Sequence, residues 1–349
     1  MNAIDFFCGG GGMTKGLMDA GIDVLFGVDL NPACQETYEH NNRIPYINRN
    51  ITEITGVELL EDYPALDDND ELLLVGCAPC QPFSKQRHSG HEHEATNLLD
   101  EFGRLVEELM PAHVLVENVP GIQRQDVFTR FLETLRNSEY RCDYHVLNAK
   151  DYGVPQNRRR LILFASRLFD PVFPEITHGE DHLPYVTVRN TIARYPHLEA
   201  GQENINIPNH RAAGLSALNL RRIAATPHNG GSRKDWPDNL VLKCHANGHA
   251  GHTDVYGRMS WDAVSPTLTS KCHVLSNGRF GHPEQNRAIS LREAAALQSF
   301  PDDYIFVGSM QEIGKQIGNA VPVLLAERIG ETILEAHENF MHNHGQLRQ

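Results

Sequence analysis

Short apolar runs alternate with amphipathic segments through the first half of the chain. Several runs have the length and composition of strands buried on both faces: AIDFF, IDVLFGVDL, ELLLVG, HVLVEN, YHVLNA and LILFAS. Between two of them, LLDEFGRLVEELM repeats apolar residues at the three- and four-residue spacing of an amphipathic helix. This alternation predicts an α/β fold built on a parallel, doubly wound sheet that helices cover on both faces.

The pattern changes after about residue 170. Residues 170–288 are rich in Pro, Gly, Asn and His and contain only weak helical or strand-like patterns, such as LSALNLRRIAA and NLVLKC. Strong helical patterns return at SLREAAALQSF and at VPVLLAERIGETILEAHENF. The region before these two helices is therefore expected to form a separate, loop-rich domain.

The composition is that of an ordinary globular protein of a reducing compartment. No apolar run reaches the roughly 18 residues of a membrane span, and the start of the chain lacks the basic and apolar regions of a secretory signal. The 7 cysteines are odd in number and irregularly spaced, which disfavours a disulfide framework. These features predict a cytoplasmic protein with no membrane association.

Charge is unevenly distributed along the chain. The net charge of −14 argues against nucleic-acid binding by the surface as a whole. Residues 181–290, however, contain 12 Lys and Arg against 8 Asp and Glu, so this region is mildly basic while the remainder is acidic. Either nucleic acid contacts one face only, or the region is a loop-rich subdomain without that role.

A glycine-rich turn, DFFCGGGGMTKG, follows the first predicted strand. Its glycines let the backbone turn sharply and approach a ligand, but it matches neither the G-x-G-x-x-G dinucleotide pattern nor the P-loop. Asp29 ends the second predicted strand, where an acidic side chain can accept hydrogen bonds from ribose hydroxyls. A nucleoside cofactor without a pyrophosphate, S-adenosylmethionine above all, fits this turn; a glycine turn without a ligand is the alternative.

Two cysteines in GCAPCQPFS admit three kinds of chemistry: a redox pair, half of a zinc site, or a single nucleophile. A redox pair favours a helix beginning at the second cysteine, which Pro82 and the polar run after it oppose. No other Cys or His has zinc-ligand spacing relative to Cys77. A single nucleophilic thiolate at Cys80 remains, followed by a loop that closes over the substrate.

Two further segments place charged side chains at strand ends. Glu117 ends the strand HVLVEN, where a partly buried carboxyl group can be protonated and donate a hydrogen bond, or can simply cap the next turn. In QNRRRLILFAS, Arg158 and Arg160 alternate before a strand and can share one face, aimed at an anion or a base edge. A solvated run of charges is the alternative.

Taken in order, the motifs closely resemble those of DNA (cytosine-5)-methyltransferases of the bacterial or phage type. The set comprises DFFCGGGGMTKG, GVDLNP, GCAPCQPFS, ENVPG, QNRRR, REAAALQSFP and QIGNAVP. It extends from Asp5 to Pro322, which is nearly the whole chain. Each motif is short, but their order and spacing together are highly specific.

The resemblance implies a role for individual residues. The implied catalytic residues are Cys80 as nucleophile, Glu117 as acid, and Arg158 and Arg160, with Cys77 as a bystander. The implied cofactor-binding residues are Phe7, Gly9, Gly11, Asp29, Leu30, Asn50, Ile51, Pro79, Leu98, Asn319 and Val321. The implied DNA-binding residues are Gln81, Ser84, Gln86, Arg233, Lys234, Arg258, Thr267 and Leu268. Asn50 stands where the family usually has Asp, and no metal is implied.

The resemblance also implies a domain plan and a reaction. Residues 1–175 would form the catalytic and cofactor-binding domain, residues 176–311 the target-recognition domain, and residues 312–349 a segment returning to the catalytic domain. The expected reaction transfers a methyl group from S-adenosylmethionine to C5 of cytosine in a specific duplex DNA sequence. It would proceed through base flipping and a covalent Cys80–C6 adduct.

Three alternatives to this reaction remain at this point. They are a tRNA cytosine-5 methyltransferase of the same fold, a non-catalytic DNA-binding relative, and a redox enzyme using Cys77 and Cys80. The expected partners are duplex DNA and a restriction endonuclease or defence system encoded alongside, and the protein is expected to be a monomer.

Overall fold

The computed structural model describes residues 1–67, 69–79, 97–242 and 254–347 of the chain. The chain divides into two compact units. The first comprises Met1–Asn148, Arg159–Ile176 and Val323–Gln349, and the second comprises Ala149–Arg158 and Thr177–Pro322. Among the described residues, no helix combines the length and the apolar character that a bilayer span requires.

Helices and strands are numbered along the chain. The strands are β1 (Asn2–Phe6), β2 (Asp23–Val28), β3 (Tyr46–Ile47), β4 (Leu72–Gly76), β5 (His113–Asn118), β6 (Arg141–Asn148) and β7 (Arg159–Ser166). The helices are α1 (Gly12–Asp19), α2 (Gln35–Asn42), α3 (Gly56–Asp62), α4 (Asn97–Leu109), α5 (Asp126–Asn137), α6 (Val188–Ile192), α7 (Ala217–Ala225), α8 (Leu291–Leu297), α9 (Met310–Asn319) and α10 (Val323–Leu347).

The first unit is built on a sheet whose described strands have the order β3-β2-β1-β4-β5-β7-β6. The strands from β3 to β5 are parallel, but β7 runs antiparallel to both β5 and β6. The expectation of a parallel sheet was therefore wrong for strand β7. A parallel connection needs a crossover of about a dozen residues or more, usually a helix. Only residues 149–158, with the 3₁₀ turn Ala149–Tyr152, join β6 to β7.

Helices cover both faces of this sheet, as the doubly wound pattern predicts. Val114 and Val116 of β5 lie in the same apolar core as Phe102 of α4 and Phe131 of α5. The alternate residue His113 instead bonds through Nε2 to Nδ1 of His337 on α10, at 3.0 Å. Because successive strand residues point to opposite faces, α10 covers the face opposite α4 and α5.

Helices α1 and α10 pack closely because of one glycine. A Cβ atom on Gly16 would lie 2.4 Å from the carbonyl oxygen of Val323 and 2.5 Å from Cβ of Ala326. Any larger residue in this α1 position would push the two helices apart. The helix that begins at Val323 is thereby held against the one that follows the glycine-rich turn.

In its described residues, the second unit contains the short helices α6 to α9, joined by loops and 3₁₀ turns. The weak helical pattern LSALNLRRIAA corresponds to α7. The strand-like pattern NLVLKC does not form a strand in its described part, where residues Asp238–Leu240 form a 3₁₀ turn. Without a sheet ladder, the main-chain carbonyls of these loops need other hydrogen-bond donors.

Buried arginines supply many of those donors. Arg258 is fully buried, and each of its guanidinium nitrogens donates within the unit. The acceptors are the carbonyls of Ile223, Thr226, His282 and Gln285 and the side-chain oxygen of Asn286. Burial lowers the pKa of Arg258 to about 10, so the side chain remains charged at neutral pH. A guanidinium has five N–H groups, and these five bonds use them all.

Arg258 is therefore a framework residue, and the expectation that it contacts DNA was wrong. The sequence places an arginine in a basic, loop-rich region, but it does not distinguish a guanidinium that binds phosphate from one that binds carbonyls. Arg292 has a similar role, since it donates to the carbonyls of Pro208, Pro301 and Tyr304.

Replacing Arg258 with Ala leaves four main-chain carbonyls without this donor. We expect the free energy of unfolding, measured by urea denaturation, to fall by about 3 kcal/mol or more, because each buried unsatisfied group costs about 1–3 kcal/mol. The matched control is Lys234→Ala, an exposed position in the same unit, which should change stability by less than about 0.5 kcal/mol. Equal stability of the two variants would contradict the structural role of Arg258 and indicate a cation that is free at the surface.

Candidate active site

The glycine-rich turn between β1 and α1 has an open, left-handed backbone. Phe7, Gly9 and Gly11 have φ angles of 61°, 51° and 85°. A Cβ atom built on Gly9 would have no heavy atom within 4 Å, so a ligand can approach the backbone closely here. A phenylalanine in the left-handed region is unusual, because its Cβ crowds the backbone, and such strain is typical of functional turns.

Asp29 is fixed beside this turn, directly after β2. Its Oδ2 accepts the Gly9 amide at 2.9 Å and its Oδ1 accepts the Asn31 amide at 2.8 Å. Burial raises the pKa of Asp29, while its hydrogen bonds to main-chain amides oppose that shift. The amides of Gly9, Leu30 and Asn31 do not use all four lone pairs of the carboxylate, so it can still accept a hydroxyl group.

The next residue, Leu30, is 64% exposed. A large apolar side chain beside a fixed carboxylate and an open glycine turn is the combination that fits a nucleoside: hydroxyls at Asp29 and the flat base against Leu30. These residues therefore fit the ribose and adenine of S-adenosylmethionine.

A second segment expected at the cofactor is Asn50 and Ile51. The Oδ1 of Asn50 accepts the Thr52 amide at 3.2 Å, which caps the 3₁₀ turn Ile51–Glu53. The Ile51 side chain lies in the apolar core and is not available to a ligand, so only its main chain can serve the expected role. Its amide opens the turn, and such first amides have no acceptor within the turn. Leu98, at the start of α4, is half-buried against the same core.

Glu117 and Arg160 form a close ion pair in the first unit. Arg160 Nε lies 2.9 Å from Glu117 Oε1, and the two side chains are 14% and 10% exposed. Glu117 pairs with Ile162 across β5 and β7, and Arg160, two residues earlier, lies on the same face. Because β7 is antiparallel, its beginning meets the end of β5. The corrected strand direction is what places Arg160 beside Glu117.

Arg158 does not share this arrangement, contrary to the expectation from residue alternation. Strand β7 begins at Arg159, so Arg158 lies outside the strand and the alternation does not extend to it. It belongs to the second unit, where it is buried and donates from Nη1 to the carbonyls of Leu268 and Gly318. Arg158 is therefore a framework residue like Arg258.

The expected nucleophile, Cys80, and the expected DNA-contacting residues Gln81, Ser84 and Gln86 lie outside the described residues. Pro79, the residue directly before Cys80, is exposed. The chain just before Cys80 is contacted by one residue to which the sequence motifs gave no role.

That residue is Asn118, which is buried at the end of β5. Its Nδ2 donates to the carbonyl of Ala78 at 3.0 Å, and its Oδ1 accepts the Val119 amide at 2.8 Å. The signal was its place beside Glu117 in ENVPG, at a strand end. This bond ties the chain two residues before Cys80 to the strand that carries Glu117.

Cys77 has the environment of a structural thiol. Burial raises its pKa well above the ordinary range, and the nearby charge of Glu117 acts in the same direction. A catalytic redox cysteine needs a lowered pKa, because the thiolate is the reactive form. The Cys77 environment therefore argues against a Cys77/Cys80 redox pair.

The remaining expected residues lie in the second unit. Thr267 is exposed and donates its hydroxyl to the Asn157 carbonyl, whereas Leu268 is buried and offers no side-chain surface to DNA, which corrects its expected role. Arg233 and Lys234 lie in a 3₁₀ turn capped by Ser232, and Lys234 is exposed.

The motif QIGNAVP is shaped by close packing in this same unit. Asn319 ends α9 and is exposed, and Val321 is buried. A Cβ atom on Gly318 would lie 2.1 Å from the Thr269 carbonyl oxygen, which explains the glycine. Among the described residues of both units, no group of three or more His, Cys, Asp or Glu side chains is placed to hold a metal ion.

A buried carboxyl group in β1 adjoins the glycine-rich turn. Asp5 Oδ2 accepts the Thr14 hydroxyl at 2.6 Å, and Oδ1 has no hydrogen-bond partner among the described residues. Burial, together with the charge of Asp29, raises the pKa of Asp5 to about 7, against the opposing effect of Thr14. Asp5 therefore keeps its proton in part of the molecules at neutral pH.

This ionisation predicts a pH-dependent contribution to stability. Folded Asp5 keeps its proton until about pH 7, whereas the unfolded chain loses it near pH 4, so rising pH favours the unfolded chain over this interval. The stability advantage of wild type over Asp5→Asn, from urea unfolding, should therefore shrink from about pH 5 to about pH 8. Asp19→Asn, an exposed control, should show no such trend. A constant difference for Asp5→Asn would contradict the assignment.

Comparison with known proteins identifies the family. The family model for C-5 cytosine-specific DNA methylase matches residues 1–335. The Type II methylase M.HgiDII of Herpetosiphon aurantiacus is 42% identical over 338 residues, covering 95% of this chain and 94% of that protein. The Type II methyltransferase M1.HphI of Haemophilus parahaemolyticus is 33% identical over 346 residues, covering 96% of this chain and 87% of that protein.

Solved structures agree with this assignment at the level of the fold. A DNA modification methyltransferase encoded within an E. coli prophage matches with a TM-score of 0.74 at 23% identity, covering 96% of this chain and 99% of its own. The S. pombe Dnmt2 methyltransferase matches with a TM-score of 0.66 at 17% identity. The chain belongs to the C-5 cytosine-specific DNA methylases, and it transfers a methyl group from S-adenosylmethionine to C5 of cytosine in DNA.

Proposed function

We propose that the enzyme methylates one cytosine of a specific duplex DNA sequence, with Cys80 as its nucleophile. One observation carries the proposal: the Glu117–Arg160 pair lies at the end of the strand whose Asn118 holds the Ala78 carbonyl, two residues before Cys80. The acid Glu117, the cation Arg160 and the chain just before Cys80 are thereby brought together in the first unit.

Each of these groups has a defined task in the proposed reaction. The Cys80 thiolate adds to C6 of cytosine, forming an Sγ–C6 bond and making C5 enamine-like. Glu117 acts as the acid and donates a hydrogen bond to N3, and Arg160 donates to O2, so both stabilise the negative charge that develops on the ring. When bound, S-adenosylmethionine supplies an electrophilic methyl group. Once C5 is methylated, water accepts the C5 proton, the C5–C6 double bond re-forms and the Sγ–C6 bond breaks, which releases Cys80 as a thiolate.

The reacting carbon is inaccessible in stacked DNA, so the target base must leave the helix at a cost of about a few kcal/mol. We assign Gln81, Ser84 and Gln86, which follow Cys80, to contacts with the DNA around the emptied position. Arg233, Lys234 and Thr267 of the second unit are assigned to phosphate and base contacts. We assign target recognition to residues 176–311 and catalysis to residues 1–175 with 312–349, with the qualification that residues 149–158 and 312–322 belong to the second compact unit.

The cofactor assignments follow from the fit of the glycine-rich turn. Asp29 receives the ribose hydroxyls, Leu30 covers one face of adenine, and Asn50 with the Ile51 main chain reads the edge of adenine. Further contacts within the first unit are assigned to Phe7, Gly9, Gly11, Pro79 and Leu98. The roles of Asn319 and Val321 at the cofactor stay expectations from the resemblance alone. Asn50 in place of the usual acid can still accept or donate a hydrogen bond at that edge.

The biological setting is part of the proposal. The relatives M.HgiDII and M1.HphI are named Type II enzymes, which supports a role beside a cognate restriction endonuclease. We propose that the protein acts as a monomer on chromosomal DNA in the cytoplasm.

Substitution of the two neighbouring cysteines separates a single nucleophile from a cysteine pair. Cys80→Ser should lower the transfer of tritium-labelled methyl groups to DNA by more than about a thousandfold, because serine is a far weaker nucleophile at neutral pH. Cys77→Ser should stay within about twofold of wild type, since that thiol is protonated and structural. Equal losses in the two variants would point to a pair.

The nucleic-acid substrate is tested by direct competition. Wild-type protein given unmethylated duplex DNA and unmodified tRNA together should label only the DNA. Bisulfite sequencing of DNA from cells expressing the chain should then show a single sequence context. Label in tRNA alone would replace the proposal with a tRNA methyltransferase, and label in neither would indicate a non-catalytic DNA-binding relative.

A further inference from the structure

We propose that Arg104 of α4 is a positioning residue for the cofactor, holding residues 50–56 in the conformation that reads the adenine edge. The inference rests on the proposed cofactor site. It concerns a side chain that neither the sequence motifs nor the comparisons assign, and it follows from a set of hydrogen bonds between α4 and this segment.

Arg104 binds the segment through its main chain. Its Nη2 donates to the carbonyl of Ile51 at 3.2 Å and to the carbonyl of Ile54 at 2.9 Å. The first carbonyl belongs to the opening residue of the 3₁₀ turn Ile51–Glu53, which Asn50 caps, and the second belongs to Ile54, the residue directly after the turn. Both bonds come from one nitrogen, and the plane of the guanidinium fixes the direction in which that nitrogen donates.

The guanidinium is itself held in place by its own helix. Its Nε donates to Glu101 at 2.9 Å and its Nη1 donates to Glu108 at 2.7 Å, one turn away on either side. All of these contacts lie within the first unit. The orientation of Arg104 is thus set before any ligand binds.

Glu108 extends the same connection to the end of the segment. Its second carboxylate oxygen accepts the Gly56 amide at 2.6 Å. A Cβ atom on Gly56 would lie 2.8 Å from Cβ of Glu108, so the glycine permits this close approach. Arg104 and Glu108 together attach the segment to α4 at three main-chain groups, those of Ile51, Ile54 and Gly56.

Arg104 bonds to carbonyls, whereas the groups assigned to adenine are the Asn50 side chain and the Ile51 amide. The arginine therefore acts through the turn and needs no contact with the cofactor. Its loss should loosen the geometry of those groups without altering the catalytic residues. Cofactor recognition should weaken while the chemical step is retained.

The test compares binding of S-adenosylhomocysteine with binding of S-inosylhomocysteine, in which adenine's amino donor is replaced by a carbonyl acceptor. Wild type should prefer the adenine compound. In Arg104→Ala we expect that preference, and the apparent affinity for S-adenosylmethionine, each to fall by about tenfold, while kcat and KM for DNA remain near wild type. Arg104→Lys keeps a donor but loses the planar group that Glu101 and Glu108 orient, so its preference should lie between those of wild type and Arg104→Ala.

The control is Arg130→Ala, which removes an exposed ion pair between α5 and Asp100 of α4 without touching residues 50–56. It should retain the wild-type preference. If Arg104→Ala and Arg104→Lys both keep the full preference for adenine, even with lowered melting temperatures, Arg104 only stabilises the fold and the inference is wrong.

An additional variant, Asp29→Ala, tests the cofactor site independently. Loss of cofactor affinity in Asp29→Ala together with unchanged preference in Arg104→Ala overturns only the role of Arg104. Unchanged affinity in Asp29→Ala, or a wild type without preference between the two compounds, overturns the proposed cofactor site and the inference with it.

Discussion

Strands β1, β2, β4 and β5 run parallel, so their carboxyl ends all lie along one edge of the sheet. The arrangement of the first unit depends on this constraint. The open turn at Gly9 follows β1, Asp29 follows β2, Pro79 follows β4, and Glu117 ends β5. Residues far apart in the chain are brought to one edge because each lies at, or within three residues after, the carboxyl end of a strand. The side chains between them, such as Asn118 on Ala78, then need to span only short distances.

The antiparallel strand β7 completes this edge. A strand that enters from the opposite direction presents its beginning where its neighbour ends. Arg160 therefore meets Glu117 within hydrogen-bonding distance, although it lies at the start of its strand. A sheet that was parallel throughout would place Arg160 at the opposite edge. The same departure from the expected topology thus supplies the cation of the proposed active site.

In the second unit, arginines have a structural role. Its loops have few strand partners, and buried guanidinium groups donate to their carbonyls instead. Arg287 forms two hydrogen bonds with Glu293, whose pKa is lowered to about 2 because hydrogen bonds and the charge of Arg287 outweigh its burial. Arg258 and Arg292 bind carbonyls directly. The mildly basic composition of this region therefore overstates the positive charge available to DNA.

The sequence by itself determined the order of strands and turns along the chain. It also placed Asp29, Glu117 and the glycine-rich turn at strand ends, because a polar residue that ends or directly follows an apolar run lies at the edge of the sheet. It also determined the family, through the spacing of the motifs. Only the tertiary structure decided the direction of β7, the separation of Arg160 from Arg158, and the burial of Arg258, Leu268 and the Ile51 side chain. Strand direction depends on which neighbour a strand pairs with, and the role of an arginine depends on which acceptors surround it. Both depend on contacts between residues distant in the chain, and the local sequence pattern does not determine those contacts.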